Sequence, residues 1–281
     1  MGDDMDAGFA ERYGPWAVVA GASNGVGVEY ARMLAERGVN LVLVARRQQL
    51  LDELAERLRA DTGVEVRTAV IDLARPEAPE RFLEVTADLE VGTFMYCAGG
   101  DSNVGPFLQR PEAIELALIQ RNCVTLLRLS RAYGEAMKAR GRGSIIILSS
   151  AAGEVGAADL VVYGATKAFD TVFGEGLWSE LSGFGVDVLT VIMGATDTEG
   201  LRKVMVERGA IASVDDEVQI PGAVTALQVA EETLANLAKG PTWFAGDPVR
   251  DGAWHFRQMT RSDAVRAMYD RMHSGIMKED A

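Results

Sequence analysis

The sequence predicts a doubly wound α/β fold, in which helices cover both faces of a parallel sheet of about seven strands. Short apolar runs rich in β-branched residues recur along the chain, and longer stretches with apolar residues at helical spacing alternate with them. Most of the short runs are apolar throughout, which is typical of parallel strands buried on both faces. Strands that alternate with helices are joined by right-handed crossovers, and these place the helices on both sides of the sheet.

Each predicted strand is followed by a stretch that can form a helix. Helices are predicted at residues 26–37, 48–60, 160–182 and near 225–237. In the second of these, Leu50, Leu51, Leu54 and Leu58 form one apolar stripe, and the acidic residues lie off it. The strands are predicted at residues 16–20, 40–44, 64–69, 91–96, 144–148, 186–193 and 242–245.

The chain is expected to form one domain over residues 1–281. It contains no Pro- or Ser-rich linker, no low-complexity tract and no internal repeat. The alternation of strands and helices covers a core of about residues 14–245. Residues 197–222 and the C-terminal extension, residues 246–281, fall outside this alternation, and ordinary packing against the core is the simplest interpretation of both.

Composition excludes several classes of function. The 281 residues include 28 Lys and Arg against 41 Asp and Glu, which gives a net charge of −13. This balance argues against nucleic acid or an anionic membrane as partner, because both require clustered cations. With two cysteines and two histidines, we expect neither a disulfide scaffold nor a metal centre. The sequence shows no signal peptide and no apolar stretch near the roughly 18 residues of a membrane span, so we expect a cytoplasmic protein.

A glycine-rich loop follows the first predicted strand and leads into the first predicted helix. Its sequence is Gly21-Ala22-Ser23-Asn24-Gly25-Val26-Gly27. Glycines let the backbone turn tightly and approach a pyrophosphate, which then sits on the free N–H groups of a helix N-terminus. The spacing differs from the common G-x-G-x-x-G fingerprint, and a plain strand-to-helix turn is the alternative. The position of the loop favours a dinucleotide site.

The end of the second strand indicates which dinucleotide binds. A site that prefers NAD carries an acidic residue there, which binds the 2′-hydroxyl of the ribose. This strand instead ends in Arg46 and Arg47, whose guanidinium groups can hold a 2′-phosphate through charge-assisted hydrogen bonds. The alternative is that both arginines are solvated surface cations. We predict NADP(H) as the cofactor.

Three residues in the second half of the chain form a candidate catalytic group. Tyr163 and Lys167 are four residues apart at the start of a predicted helix, so they share one helix face. A neighbouring ammonium stabilises a phenolate, which makes the phenol a usable proton donor and acceptor. Ser150 follows a buried strand at the carboxyl edge of the sheet, where α/β sites form, and its hydroxyl can hold a carbonyl or alkoxide oxygen.

In these motifs and their order the chain resembles the short-chain dehydrogenase/reductase family, in its shorter single-domain, Rossmann-like branch. The resemblance covers about residues 14–245. It extends to Asp72 after the third strand, to Ala98-Gly99 after the fourth, to Asn122 in the following helix and to residues 194–198 after the sixth. The chain departs from the family pattern at Ala20, Tyr96-Cys97, Met193 and Thr196.

The resemblance implies a carbonyl/alcohol oxidoreductase in which Tyr163 exchanges a proton with the substrate oxygen. Lys167 then supports Tyr163 and binds the nicotinamide ribose, Ser150 orients the substrate, and Asn122 holds a water linked to Lys167. The implied catalytic residues are Ser150, Tyr163, Lys167 and Asn122. The implied cofactor site consists of Gly21, Ser23, Asn24, Gly25, Val26, Gly27, Arg46, Arg47, Asp72, Leu73, Ala98, Gly99, Tyr163, Lys167, Gly194, Thr196 and Thr198.

The substrate is expected to be an apolar ketone or secondary alcohol, with cyclic and aromatic compounds as candidates. The family's substrate lid follows the sixth strand, so residues 197–222 are expected to form it, and Met193, Leu201, Val204 and Met205 are candidate pocket residues. A 3-oxoacyl thioester reductase and a non-catalytic NADP(H)-sensing regulator remain as alternatives. Family members commonly pair through the helix at 160–182, so a homodimer or homotetramer is expected.

Overall fold

Seven parallel strands form one sheet in the described part of a computed structural model of the protein. The structure describes residues 2–100, 104–207, 209–216 and 219–275. The strands are β1 (Trp16–Ala20), β2 (Asn40–Ala45), β3 (Val66–Val70), β4 (Val91–Tyr96), β5 (Gly143–Ser150), β6 (Val186–Met193), β7 (Thr196–Asp197), β8 (Val224–Thr225) and β9 (Thr242–Ala245). The order of the strands in the main sheet is β3-β2-β1-β4-β5-β6-β9.

Helices flank this sheet on both faces. They are α1 (Gly2–Tyr13), α2 (Val26–Glu36), α3 (Gln48–Thr62), α4 (Ala78–Glu84), α5 (Glu112–Ile119), α6 (Leu126–Arg140), α7 (Val161–Leu181), α8 (Glu199–Glu207), α9 (Ala226–Asn236), α10 (Asp247–Arg257) and α11 (Arg261–Gly275), with a π-helical segment (Gln120–Thr125) between α5 and α6. Within the described residues, no helix is long and apolar enough to cross a membrane.

The predicted doubly wound fold is confirmed, and all seven predicted strands lie in the main sheet. The strand β5 is longer than predicted and includes Ser150 as its last residue, where it pairs with Met193 of β6. The strand β3 begins at Val66 instead of residue 64, because Gly63 ends α3 in the left-handed conformation and two linking residues follow. The strands β7 and β8, which pair with each other, are too short to leave a pattern in the sequence.

The continuous apolar pattern of the strands follows from burial on both sides. In β1, Val19 packs with Tyr30 and Leu34 of α2 on one face of the sheet. Its neighbour Val18 packs with Phe82 of α4 on the other face. Since successive side chains of a strand point to opposite faces, a strand covered on both sides has to be apolar at every position.

The parallel arrangement brings all carboxyl ends of the strands to one edge of the sheet. The chain runs outward from β1 to β2 and β3 on one side and continues with β4, β5 and β6 on the other. The strand order therefore reverses between β1 and β4, and ligands of open α/β sheets bind in the crevice at such a point. The glycine-rich loop after β1 lies at this position.

The two regions outside the alternation have defined structures. Residues 197–222 contain α8, and Met205, Ile211 and Ile220 form a small buried cluster there; residues 208, 217 and 218 lie outside the described residues. The C-terminal extension forms α10 and α11. Its Ala264 and Met268 pack against Val155 and Ala157, which follow β5. Residues 276–281 also lie outside the described part.

Glu232 of α9 connects the C-terminal extension to the sheet. One carboxylate oxygen accepts hydrogen bonds from Trp243 Nε1 at 2.9 Å, Gly246 N at 3.2 Å and Arg250 Nη1 at 2.9 Å, and the other accepts one from Gln228 at 3.0 Å. Burial raises the pKa of Glu232, but these hydrogen bonds outweigh burial and lower the pKa from 4.5 to about 2. The folded state therefore favours the ionised carboxylate.

We expect Glu232→Gln to lower the free energy of unfolding at neutral pH by about 1 to 2 kcal/mol, after allowance for solvent screening. Because the folded-state pKa is depressed, this stabilisation is present above pH 4.5 and is lost as the pH falls toward about 2. Urea denaturation across this range measures both effects. Gln228→Ala, which leaves the carboxylate and its other donors in place, is the control. Equal pH dependence of the wild type and Glu232→Gln would contradict the assignment.

Candidate active site

A cavity of about 860 Å³ opens at the carboxyl ends of the strands. This volume falls in the range of small-molecule and cofactor sites. The glycine-rich loop, the end of β2 and the residues after β4 line one part of it. Ser150, Tyr163, residues of the segment 197–222 and the C-terminal extension line the other part. All predicted cofactor residues except Lys167 line this cavity. Of the predicted catalytic residues, Lys167 and Asn122 do not border the cavity and lie behind its wall.

Close backbone packing explains the glycines of the loop. Gly21 has φ 93°, and a Cβ there would lie 2.8 Å from the amide nitrogen of Ala98. A Cβ on Gly27 would overlap the carbonyl oxygen of Gly21. Helix α2 begins at Val26, so its free N–H groups face the cavity that the loop borders. This geometry fits a pyrophosphate held by backbone N–H groups and the positive end of the helix dipole.

Two arginines border the cavity at the end of β2. Arg46 and Arg47 are both exposed, and Arg47 Nη2 donates a hydrogen bond to the carbonyl oxygen of Ser23 at 3.1 Å. This bond holds one guanidinium against the glycine-rich loop. Asp72 lines the same part of the cavity, and its carboxylate accepts a hydrogen bond from Ala74 N at 3.1 Å, which fixes the turn after β3. Together with the loop, these residues fit an adenosine that carries a 2′-phosphate.

Ser150 lies at the carboxyl end of β5 and faces the cavity. Its backbone is extended, and its hydroxyl oxygen accepts a hydrogen bond from Ala152 N at 3.2 Å as the cap of a short 3₁₀ turn. The helix α7 packs tightly on this turn, since a Cβ on Gly164 would lie 2.8 Å from the carbonyl oxygen of Ala152. Glycine at position 164 thus allows the start of α7, with Tyr163, to come close to the strand end.

Tyr163 and Lys167 occupy successive turns of α7. Tyr163 is partly exposed and lines the cavity, and the Lys167 ammonium lies 6.0 Å from the centre of its ring. Lys167 itself is buried. Its Nζ donates hydrogen bonds to the carbonyl oxygen of Leu148 at 2.9 Å and to Asp170 Oδ2 at 2.8 Å. Asp170 was not predicted from the sequence, although its spacing of three residues from Lys167 is a signal for a side-chain pair on a helix.

Asn122 lies in the π-helical segment and is 1% exposed. Its Nδ2 donates hydrogen bonds to the carbonyl oxygen of Gly99 at 3.2 Å and to Thr166 Oγ1 at 2.9 Å. Its Oδ1 accepts one from Arg121 Nε at 3.0 Å. Insertions of this kind in helices occur frequently at functional sites. Asn122 joins Gly99, three residues after the end of β4, to Thr166 of α7, which lies one position before Lys167.

Tyr96, a departure from the family pattern, supports the same segment. It is buried, and its hydroxyl donates a hydrogen bond to the carbonyl oxygen of Arg121 at 2.6 Å. This bond links the end of β4 to the π-helical segment beside Asn122. The adjacent Cys97 borders the cavity, and burial raises the pKa of its thiol. A raised thiol pKa fits an unreactive cysteine.

The four residues predicted for the substrate pocket lie in two places. Met193, Leu201 and Val204 line the cavity. Met205, which was also predicted there, does not border it, because its side chain is 5% exposed and packs with Ile211 and Ile220 within the segment 197–222. A helix stripe shows which residues are buried, but it does not distinguish a pocket wall from a small core.

The C-terminal extension supplies pocket residues that the sequence analysis missed. They come from both of its helices and are Val249, Gly252, Ala253, Phe256 and Met268. The apolar stripe around Met268 was the available signal, and it did not indicate what the stripe packs against. Leu160, Arg121 and Glu154 also border the cavity. Burial raises the pKa of Glu154, opposed by Arg257, whose guanidinium lies 4.0 Å from the carboxylate.

Among the described residues, no group of three or more His, Cys, Asp or Glu side chains could hold a metal ion. The groups near the cavity that can exchange a proton or stabilise charge at the strand ends are the Tyr163 phenol, the Ser150 hydroxyl and the Lys167 ammonium. A phenol beside an ammonium, next to a dinucleotide cradle, defines a class of dinucleotide-dependent oxidoreductases.

The chain belongs to the short chain dehydrogenase family, whose sequence profile matches residues 15–208. It is 30% identical over 267 residues to 7beta-hydroxysteroid dehydrogenase from Clostridium sardiniense, covering 94% of this chain and 99% of that protein. It is 37% identical over 183 residues to a very-long-chain 3-oxoacyl-CoA reductase from Podospora anserina, covering 64% of this chain and 54% of that protein. Among solved structures, a short-chain dehydrogenase from Sphingobium yanoikuyae in complex with NADPH superposes with a TM-score of 0.72 at 30% identity, covering 95% of this chain and 98% of the other.

Proposed function

We propose that this protein is an NADP(H)-dependent oxidoreductase that interconverts a ketone and a secondary alcohol on an apolar, polycyclic substrate. One observation carries the proposal. The glycine-rich loop with its two neighbouring arginines borders the same cavity as Ser150 and Tyr163, and the Lys167 ammonium lies behind Tyr163. The similar structure from Sphingobium yanoikuyae, which is a complex with NADPH, supports the choice of cofactor.

The residues of the chain divide the work as follows. Tyr163 donates a proton to the ketone oxygen in reduction and removes it from the alcohol in oxidation. Ser150 donates a hydrogen bond to the same oxygen and orients it. Lys167 stabilises the phenolate that Tyr163 becomes after giving up its proton, and it holds the ribose hydroxyls of the cofactor. When bound, the nicotinamide supplies or accepts the hydride.

Asn122 acts behind these groups. Its hydrogen bonds to Gly99 and Thr166 fix the positions around Lys167. A Cβ on Gly99 would lie 2.9 Å from Lys167 Nζ and 3.1 Å from Asn122 Oδ1, so only a glycine leaves this space open. That Asn122 holds a water connected to Lys167 stays a prediction.

The cavity favours a rigid apolar substrate. Leu160, Val204, Phe256 and Met268 give its substrate end an apolar wall, and burying such a surface is the main source of affinity for an apolar ligand. The alignment with a 7beta-hydroxysteroid dehydrogenase covers 94% of this chain, so it has to reach into the C-terminal extension. This extension is the segment that contains Phe256 and Met268. We therefore propose steroid alcohols and ketones as the substrate class.

A 3-oxoacyl thioester reductase is the second candidate. Its support is the 37% identity to a very-long-chain 3-oxoacyl-CoA reductase, which covers 64% of this chain. The apolar wall would also accept an acyl chain. The two candidates differ in the polar group next to the ketone, because a thioester brings a long phosphorylated carrier and a steroid does not.

A screen of NADPH oxidation against steroid ketones, aromatic ketones, quinones and 3-oxoacyl thioesters tests the proposal. We expect turnover of steroid ketones with the highest kcat/KM. Preference for thioesters would favour the second candidate. Tight NADPH binding without turnover of any of the four classes would reject the enzyme assignment in favour of a cofactor-sensing protein.

An apolar face on α7 supports an oligomer. Ala165, Ala168, Phe169, Val172 and Phe173 border a shallow depression on this helix, and Val172 is 69% exposed. Apolar patches of this kind are typical of contact surfaces between subunits. We propose a homodimer or homotetramer formed through this face, and a mass of one protomer by light scattering would reject it.

The cytoplasmic location expected from the sequence stays a prediction.

A further inference from the structure

Asp170 is a buried carboxylate directly behind the catalytic group. It lies on α7 one turn after Lys167 and is 1% exposed. Its Oδ2 is 2.8 Å from Lys167 Nζ, and in the described part of the chain its buried Oδ1 has no hydrogen-bond partner. Taking a carboxylate out of water is costly unless a cation compensates it. The placement of Asp170 therefore depends on Lys167.

The dependence is mutual. Burial lowers the pKa of Lys167, but the charge of Asp170, the Tyr163 phenol and the Asp170 hydrogen bond outweigh burial and keep the pKa above its ordinary value. Burial raises the pKa of Asp170, and Lys167 opposes this rise. A buried ammonium without a counter-ion tends to lose its proton. Without Asp170, Lys167 would become such an ammonium.

The other titratable groups around the pair do not replace Asp170. From the π-helical segment, Arg121 adds a second positive charge that opposes protonation of Lys167, and burial together with Asp170 raises the pKa of the Cys123 thiol to about 11. From the end of β4, burial raises the pKa of the Tyr96 phenol, opposed by Arg121. Cys97, with its raised thiol pKa, lies near Lys167. At neutral pH both thiols and the Tyr96 phenol are uncharged, so Asp170 supplies the negative charge.

The Lys167 ammonium is also fixed in direction. It donates to the carbonyl oxygen of Leu148 on β5 and to Asp170 on its own helix, and these two bonds hold it 6.0 Å from the centre of the Tyr163 ring. Two acceptors on different elements restrict a lysine side chain, which is otherwise flexible.

We propose that Asp170 is a positioning residue of the active site, whose carboxylate holds the Lys167 ammonium in place behind Tyr163 and compensates its charge. The expected effect of Asp170 on ketone reduction rests on the proposed function. Asp170 does not border the cavity, so it acts through Lys167.

The test is the pH dependence of Asp170→Asn, which keeps the shape of the side chain and removes its charge. We expect kcat for ketone reduction to fall about tenfold or more at about pH 8 and to recover toward about pH 6, where Lys167 regains its proton. The affinity for NADPH, measured by fluorescence titration without substrate, should weaken with rising pH in the same range. The affinity of the wild type should change little. Asp170→Glu, which restores the charge, should restore both profiles.

Asp187→Asn is the matched control. This carboxylate accepts hydrogen bonds from Tyr13 and Arg12 near the start of β6, at the opposite end of the sheet from the cavity. Its removal should lower stability without moving either pH profile. If Asp170→Asn does not fold, Asp170→Ser carries the same expectation, because its smaller side chain leaves space beside the ammonium. Profiles of Asp170→Asn or Asp170→Ser that match the wild type would overturn the proposal.

The binding profile separates this inference from the proposed function. A wild type that binds NADPH but reduces no ketone would reject the oxidoreductase assignment, and the NADPH affinity of Asp170→Asn would still test the role of Asp170. An active wild type with unchanged pH profiles in the variants would reject the role of Asp170 alone.

Discussion

Tyr163→Phe is expected to lower kcat by about a thousandfold or more, because it removes the only proton that the proposed mechanism delivers to the substrate oxygen. Tyr163 lines the cavity, whereas Lys167 lies behind it and is already bonded to Leu148 and Asp170. Lys167 therefore cannot take over the proton transfer without rearrangement, and the aliphatic hydroxyl of Ser150 is a weaker acid than a phenol. The phenyl ring of the variant fills the same space, so the affinity for NADPH should be unchanged. Steady-state kinetics and fluorescence titration measure the two quantities.

Tyr133→Phe provides a control for loss of a phenol hydroxyl. Tyr133 packs in the core and its hydroxyl bonds to Thr86 at 2.8 Å, away from the cavity. This variant should lose about 1 kcal/mol of stability and keep its activity. Retention of more than a few per cent of the wild-type kcat by Tyr163→Phe would show that another group donates the proton.

Arg46→Asp is expected to change the preferred cofactor from NADPH to NADH. Arg46 is exposed at the end of β2 and borders the cavity where an adenosine ribose fits. An aspartate there repels a 2′-phosphate and can accept a hydrogen bond from a 2′-hydroxyl. The ratio of kcat/KM for NADPH over NADH should fall by about a hundredfold to a thousandfold. At about 1.4 kcal/mol for each tenfold change, this corresponds to about 3 to 4 kcal/mol of lost preference for NADPH. Kinetics with each cofactor at a fixed ketone concentration give the ratio.

Arg57→Asp is the control for the change in net charge. Arg57 is exposed on α3 and does not border the cavity. It should leave the cofactor ratio unchanged. Equal use of both cofactors by the wild type, or an unchanged ratio in Arg46→Asp, would count against NADP(H) specificity. In the latter case Arg47, which is bonded to Ser23 of the glycine-rich loop, would be the residue to replace next.

The net charge of −13 acquires a local meaning in the structure. The acidic surface disfavours polyanions as partners, but the cavity is bordered by Arg46, Arg47 and Arg121, and the Lys167 ammonium lies behind it. A pocket can thus attract a phosphorylated cofactor although the protein as a whole is acidic. Interactions inside a cleft are less screened than those across an exposed surface.

Features with a local signature could be predicted from the sequence alone. The strands were predicted because burial on both faces makes each of them apolar throughout, and their parallel order followed from the alternation with helices. The glycine-rich loop, Arg46 and the Tyr163–Lys167 pair were found because each depends on residue type at short spacing. Ser150 needed one further step, namely that carboxyl ends of parallel strands share an edge of the sheet.

Contacts between distant segments were decided by the tertiary structure. The sequence showed an apolar stripe around Met268 but not that α10 and α11 close the substrate end of the cavity. It could not assign Met205 to the small core with Ile211 and Ile220, since a pocket and a core both bury apolar side chains. The sequence contains Asp170 three residues after Lys167, but a charged pair on a helix is usually exposed to solvent. The packing of α7 against β5 and the π-helical segment removes water from Lys167 and Asp170, and that burial is what makes each of them depend on the other.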